Sequence, residues 1–92
     1  MVKIDESKIF HRAIYKWGAD MQMMVAIEEM SELTKELIKH QRTGTNFQEI
    51  AEEIADVEIM LIQLKIIFGN EDKVEEFIEK KMNRLKEILD GN

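Results

Sequence analysis

The chain has 92 residues, of which 45% are hydrophobic and 35% charged, with no proline, no cysteine and a net charge of −6. The lack of cysteine excludes a disulfide scaffold, a thiolate zinc site and a cysteine nucleophile. Because an acidic protein repels a phosphate backbone, duplex nucleic acid is an unfavourable partner. The first seven residues have no apolar core of signal-peptide length, so no signal peptide is expected, and no apolar run approaches the roughly 18 to 20 residues that a membrane span needs. We therefore expect a cytoplasmic protein, with no membrane partner, that forms one domain over residues 1–92.

Four glycines and the lack of proline divide the sequence into segments that are rich in good helix formers. The apolar spacing predicts a first helix over about residues 5–16, which Gly18 ends. A second helix is expected to begin with Asp20 as its cap and to continue to about residue 42. Gly44 ends this second helix.

The second half of the chain predicts two more helices. Thr45 and Gln48 are typical of a capping box, so a third helix is expected to begin directly after Gly44. The short connection predicts an antiparallel hairpin. The third helix continues to Phe68, where Gly69 provides a stop, and a fourth amphipathic helix follows.

The third helix is apolar on nearly every side between residues 57 and 68. Such a helix has to be central, and three short neighbours cannot surround it. A chain of this length also has little core of its own. We therefore predict an all-α antiparallel bundle of about four helices that is completed by oligomerisation, as a homodimer or a dimer of dimers.

Two acidic motifs lie on the predicted hairpin, and each contains two carboxylates three residues apart. Glu29 and Glu32 share one face of the second helix, and Glu53 and Asp56 share one face of the third. Glu32 lies twelve residues before Gly44 and Asp56 twelve residues after it. Antiparallel packing would therefore bring all four carboxylates to nearly the same height.

Like charges in such a position repel each other, and a divalent cation would compensate them. Carboxylate ligands without His or Cys favour Mg²⁺, with Mn²⁺ as a possible substitute, and such ions also bind substrate phosphates. The alternative is that each motif is simply part of a solvated helix face. A di-iron site is a weaker alternative, because it needs Glu-x-x-His motifs and neither His11 nor His40 has that spacing. Both histidines are expected on the surface.

The doubled motif resembles that of a known family. Glu28-Glu29-Met-Ser-Glu32-Leu and Glu52-Glu53-Ile-Ala-Asp56-Val are similar to the ExxE and ExxD signature of the all-α nucleoside triphosphate pyrophosphatases, and the resemblance covers about residues 17–88. The sequence looks most like the short, single-domain MazG-like members. The resemblance implies that Mg²⁺ is held by Glu29, Glu32, Glu53 and Asp56. It also implies that an activated water hydrolyses a nucleoside triphosphate, ribo or deoxy, to the monophosphate and pyrophosphate, with Glu29 and Glu53 in catalytic positions.

Further roles follow from the same resemblance. Glu28 looks like an extra acidic residue that orients the water or holds another ion. Lys80, Asn83 and Arg84 resemble a segment that approaches the phosphates, although a solvated helix end explains them equally well. The position of Trp17 beside Gly18 and the second helix, and not the resemblance, makes it a candidate lid or base-stacking surface, with simple packing as the alternative. The competing function is a non-enzymatic helical oligomerisation or interaction module with solvated acidic faces.

Overall fold

The computed structural model describes residues 4–91, which form four α-helices and no strand. The helices are α1 (Ile4–Trp17), α2 (Ala19–Thr43), α3 (Phe47–Phe68) and α4 (Glu71–Leu89). The all-α prediction is thus confirmed for this part of the chain. Residues 1–3 and 92 of the predicted domain lie outside the described residues. None of the helices within residues 4–91 is long and apolar enough to cross a membrane.

Two glycines end helices where the sequence predicts it. Gly44 follows α2 with φ 63°, and Gly69 follows α3 with φ 59°, so both adopt the left-handed conformation that side chains with a Cβ disfavour. The amide of Gly44 donates to the carbonyl of His40 at 2.9 Å, which closes the last turn of α2. Glycine at these positions therefore sets the lengths of both central helices.

The predicted helix starts are wrong in detail. α3 begins at Phe47 with Asn46 in the N-cap position, and no side chain caps it, so Thr45 and Gln48 do not form a capping box. α2 begins directly after Gly18, and Asp20 lies in its first turn instead of capping it. A carboxylate in the first turn still stabilises the helix, because its negative charge lies near the positive end of the helix dipole.

The side chain of Asn46 leaves its own helix uncapped because it binds α2 instead. Its Nδ2 donates to the backbone oxygen of Glu36 at 2.9 Å and to Glu36 Oε1 at 2.7 Å. Its Oδ1 lies 3.1 Å from Nδ1 of His40, whose ring also packs edge-on against Phe47 at 5.0 Å between centroids. His40 is therefore half-buried, contrary to its expected surface position. Asn46 is 3% exposed and ties the connection between the two helices to α2.

α3 contacts each of the other three helices, and its most extensive contact is with α2. The central position predicted for this helix is confirmed. The contact buries Ala26 of α2 and Met60 of α3, which are 1% and 5% exposed. It also buries a hydrogen bond of 2.8 Å between the side-chain amides of Gln22 and Gln63. The α2–α3 contact is thus the main source of burial in the described chain.

Outside the α2–α3 contact, the described helices are loosely packed. α4 contacts only α3 among the described helices, and every residue from Glu75 to Gly91 is exposed. The radius of gyration is 16.1 Å, whereas a compact domain of this length has about 12 Å. Many large apolar side chains are consequently exposed, among them Ile27, Leu37, Ile38, Ile59, Leu61, Phe68, Phe77, Ile78, Met82, Leu85 and Ile88. A single chain does not cover the apolar faces that the sequence encodes.

We expect Asn46→Ala to lower the free energy of unfolding by about 2 to 3 kcal/mol, because it removes the hydrogen bonds to Glu36 and His40. Thr45→Ala is the matched control, since Thr45 is exposed, and its effect should stay within about 0.5 kcal/mol. Urea unfolding followed by circular dichroism measures both values. Equal stability of the two variants would show that the Asn46 contacts do not stabilise the hairpin.

Candidate metal centre

Three carboxylates meet between α2 and α3. Glu29 of α2 and Glu53 and Asp56 of α3 each offer one oxygen, and these three oxygens all lie within 4.8 Å of one another. All three residues are half-buried. We call Glu29, Glu53 and Asp56 the carboxylate triad.

The register of the hairpin explains why these residues meet. Gln22 pairs with Gln63, and from there Glu29 lies seven residues forward along α2 while Asp56 lies seven residues back along α3. Seven residues are about two helical turns, so the side chains return to nearly the same face. Glu53 is one turn further along that face of α3. The packing that buries the glutamine pair therefore also places the acidic residues opposite each other.

Burial and mutual repulsion make this cluster unfavourable for negative charge. Burial raises the pKa of Glu29, and the neighbouring Asp56 carboxyl raises it further through a hydrogen bond and through its charge, with smaller contributions from Glu53 and Glu32. Burial also raises the pKa of Glu53, followed by repulsion from Asp56 and Glu32. Both carboxylates would thus gain from a nearby positive charge.

Glu53 carries the clearest sign of a missing partner. Its Oε2 is inaccessible to solvent and accepts no hydrogen bond from any described residue. No lysine, arginine or histidine within residues 4–91 forms an ion pair with a member of the carboxylate triad. An enclosed carboxylate oxygen without a donor is costly unless a cation binds it.

Two predicted acidic site residues lie next to the triad instead of within it. Glu32 is half-buried and contributes to the repulsion, but its Oε1 is 3.5 Å from Nζ of Lys35. Glu28 is exposed on α2 beside Glu29. The structure thus brings together three of the four predicted metal ligands and leaves Glu32 one turn away.

The predicted substrate-binding residues are not gathered at the triad within one chain. Trp17 ends α1 and is largely exposed, with Lys16 Nζ 5.3 Å from its ring centroid. Lys80 lies 3.7 Å from Glu76 Oε1 on its own helix. Asn83 and Arg84 are exposed on α4, which contacts neither α1 nor α2 in the described chain.

Sequence reasoning missed the buried polar residues around this site. Gln22 and Gln63 are 5% and 4% exposed and face each other two turns from the triad. Gln63 interrupts an otherwise apolar run, and a buried amide in such a run needs a partner on a neighbouring helix. The need of the Gln63 amide for a hydrogen-bond partner was therefore the sequence feature that could have predicted its contact with Gln22. Asn46 had no comparable signal, because loops are commonly polar, and neither had its partner Glu36, because glutamate is common on helices.

The donor set fits a hard divalent cation. Three carboxylate oxygens at this separation can converge on one ion, and Mg²⁺ or Mn²⁺ typically takes a few carboxylates and completes its shell with water and phosphate. A comparison of the chain with family models, curated proteins and solved structures finds no match.

We expect Asp56→Asn to melt at a higher temperature than the unsubstituted protein in EDTA, because it removes one of three crowded negative charges. Saturating Mg²⁺ should narrow or reverse this difference in melting temperature. Bound Mg²⁺ raises the free energy of unfolding of the unsubstituted protein by about 2.7 kcal/mol at a hundredfold excess over Kd, and it raises that of the variant by less, because the variant lacks one ligand. Thermal melts with and without Mg²⁺ measure both effects.

Glu58→Gln is the matched control for Asp56→Asn, because Glu58 is exposed on the same helix. Its melting temperature should follow that of the unsubstituted protein in both buffers. If Asp56→Asn also does so, the carboxylates do not share a cation.

Proposed function

We propose that this chain is a MazG-like nucleoside triphosphate pyrophosphohydrolase that uses Mg²⁺, acts in the cytoplasm and releases a monophosphate and pyrophosphate. The carboxylate triad, with its enclosed and unpartnered Glu53 Oε2, is the observation that supports this proposal most strongly. The ExxE and ExxD motifs supply the reaction class, since they resemble the signature of that family.

The chemistry needs little beyond charge and position. Glu29, Glu53 and Asp56 would hold Mg²⁺, and Glu32 would join them by turning away from Lys35. When bound, the metal neutralises the triphosphate and lowers the pKa of a bound water. Water adds to a phosphorus atom as the bond to the departing pyrophosphate breaks, so each turnover consumes one water. Glu28 is adjacent and solvated, which suits a residue that orients this water or holds another ion.

Self-association is part of the proposal. The exposed apolar faces of α3 and α4 need a cover, and a second copy of the same chain offers matching faces in an antiparallel bundle. In one chain α4 contacts α3 but not α2, which carries Glu29 of the triad. Lys80, Asn83 and Arg84 would therefore reach the phosphates bound at the triad of another copy.

The interaction-module alternative accounts for the apolar faces equally well. It does not account for three half-buried carboxylates that face each other across a helix contact, because solvated acidic faces have no reason to converge. For that reason we favour the enzyme.

With Mg²⁺, the protein should convert at least one nucleoside triphosphate to its monophosphate and pyrophosphate. Glu53→Gln should lower kcat/KM by about 100-fold or more, because it removes a charge that binds the metal. Glu52→Gln, which is exposed and about 100° away around α3, should retain activity. Chromatography of the nucleotide products and a pyrophosphate assay across a panel of ribo- and deoxyribonucleotides measure these effects. Release of orthophosphate alone, or no turnover with any nucleotide, would contradict the proposed reaction.

Mixing inactive variants tests whether α4 acts on another copy. Glu53→Gln and Arg84→Ala should each be impaired, but in a mixed dimer one site has both residues intact. After subunit exchange at equal concentrations, about one quarter of all sites should be active, since half of the dimers are mixed. Lys86→Ala, on another face of α4, is the control and should keep its own activity. No recovery after confirmed exchange would place Arg84 at the site of its own chain or away from any site.

A further inference from the structure

α3 carries two parallel stripes of side chains that differ in polarity. Four residues spaced three and four apart lie on one face of the helix and form what we call the polar stripe: Glu53, Asp56, Met60 and Gln63. The residue that follows each of them is apolar, and these four form the apolar stripe: Ile54, Val57, Leu61 and Leu64. The two stripes are about 100° apart around the helix. A rotation of α3 by that angle would therefore exchange them.

The polar stripe is the one that packs against α2. Oε1 of Gln63 accepts a hydrogen bond of 2.8 Å from Nε2 of Gln22, which belongs to α2. Met60 is 5% exposed, and its sulfur lies 3.6 Å from Nε2 of Gln63. The two carboxylates of the polar stripe meet Glu29 of α2 in the carboxylate triad.

This choice of face is the opposite of the one that burial of apolar surface favours. Ile54 and Leu61 of the apolar stripe are 43% and 44% exposed, and Val57 and Leu64 are half-buried. Apolar side chains stabilise a fold when they are removed from water, whereas the packed polar stripe places two carboxylates beside a third. Hydrophobic burial alone would thus turn the apolar stripe towards α2. Another interaction has to hold α3 in its observed rotation.

The hydrogen bond between Gln22 and Gln63 distinguishes the two rotations. The side chain of Gln22 is 5% exposed, so its amide would lose its partner if Leu64 took the place of Gln63 at the contact. The thioether of Met60 accepts a hydrogen bond but has no proton to donate, so the NH₂ group of Gln63 faces Met60 and its oxygen faces Gln22. A buried amide without a partner costs more free energy than one hydrogen bond usually contributes. The amide pair therefore disfavours the rotation that apolar burial favours.

We propose that Gln22 and Gln63 select the face of α3 that packs against α2, and that they are thereby positioning residues for the carboxylate triad. The pair holds Glu53 and Asp56 against Glu29, although apolar burial and charge repulsion both oppose this arrangement. The benefit of the arrangement for a cation rests on the proposed function. The selection of the face does not, because it needs no ligand.

A contact with α4 is the competing explanation for the rotation of α3. Leu61 and Leu64 of the apolar stripe line a cavity of about 380 Å³ together with Val74 and Ile78 of α4. Among the described helices, however, α4 makes the least extensive contact with α3, whereas α2 makes the most extensive one. The amide pair lies in that larger contact, and it is therefore the stronger determinant.

The double variant Gln22→Leu/Gln63→Leu removes the amide pair and leaves no unpaired amide behind. In EDTA it should melt at least as high as the unsubstituted protein, because apolar residues can replace a buried polar pair without loss of stability. Gln22→Leu and Gln63→Leu alone should each melt lower, since each leaves one amide without its partner. Thermal melts followed by circular dichroism measure this order.

Nuclear magnetic resonance reports which stripe faces α2. Ala26 lies one turn after Gln22, and Met60 lies one turn before Gln63, so both are at the same level of the contact. The unsubstituted protein should show a nuclear Overhauser effect between the methyl groups of Ala26 and Met60. In the double variant, the effect on Ala26 should instead come from methyl groups of the apolar stripe, above all that of Leu61.

The double variant should also bind Mn²⁺ at least about tenfold more weakly, which is the loss typical of removing residues that orient metal ligands. Electron paramagnetic resonance of free Mn²⁺ measures this affinity. A purely structural role predicts that Mn²⁺ affinity recovers together with the melting temperature. Gln41→Leu/Gln48→Leu is the matched control, because both glutamines are exposed on the same two helices, and it should keep the methyl contact and the affinity.

Three results would overturn the proposal. The first is a double variant that keeps the Ala26–Met60 contact, which would make α4 the determinant of the rotation. The second is a double variant that unfolds or melts below the unsubstituted protein in EDTA. The third is a double variant that loses the Ala26–Met60 contact but binds Mn²⁺ as tightly as the unsubstituted protein.

These outcomes are separate from that of the proposed function. If the unsubstituted protein binds no Mn²⁺, the proposed function fails, and the melts and methyl contacts in EDTA still decide whether the amide pair selects the face. If the unsubstituted protein binds Mn²⁺ and the double variant keeps the Ala26–Met60 contact, only the selection by the amide pair is refuted.

Discussion

The close packing of α2 against α3 is the interaction on which the other features depend. Its small buried residue, Ala26, lets the two helices approach, and the buried Gln22–Gln63 pair fixes one register because an amide without its partner would be costly. The same register places Glu29 against Asp56, where like charges repel. The favourable Gln22–Gln63 hydrogen bond and the unfavourable Glu29–Asp56 repulsion thus result from the same helix alignment. A cation bound between the carboxylates would replace this repulsion with attraction and so stabilise the fold.

The number of helices and the positions at which the central ones end could be predicted, because they depend on local chemistry. Gly44 and Gly69 provide left-handed conformations at helix ends, and the residues between them favour helix throughout. The start of α3 could not be predicted in the same way. Thr45 fits a local capping box, but Asn46 gains more from a long-range contact with Glu36, and a tertiary contact is not visible in the local pattern.

The candidate site could likewise be predicted in part from the sequence. Helical spacing and the distance from Gly44 predicted that Glu29, Glu53 and Asp56 would meet, and they do. Glu32 has the same spacing, but its side chain reaches Lys35, a choice between rotamers that spacing does not determine. The apolar pattern predicted the faces of the helices but not that one chain leaves α4 unpacked, because the pattern is the same whether a face is covered within a chain or by another copy.

A crystal of the protein soaked with Mn²⁺ tests most directly whether the carboxylate triad binds a divalent cation, as we propose. Anomalous scattering locates manganese without any assumption about function. We expect a peak between the carboxylates of Glu29, Glu53 and Asp56, with oxygen ligands at about 2.0 to 2.2 Å, as hard cations of this size require. We also expect Oε2 of Glu53 to be a ligand or to contact a water of the metal shell. A crystal that shows no anomalous peak at the triad, with the three carboxylates separated and solvated, would show that the triad does not bind a divalent cation.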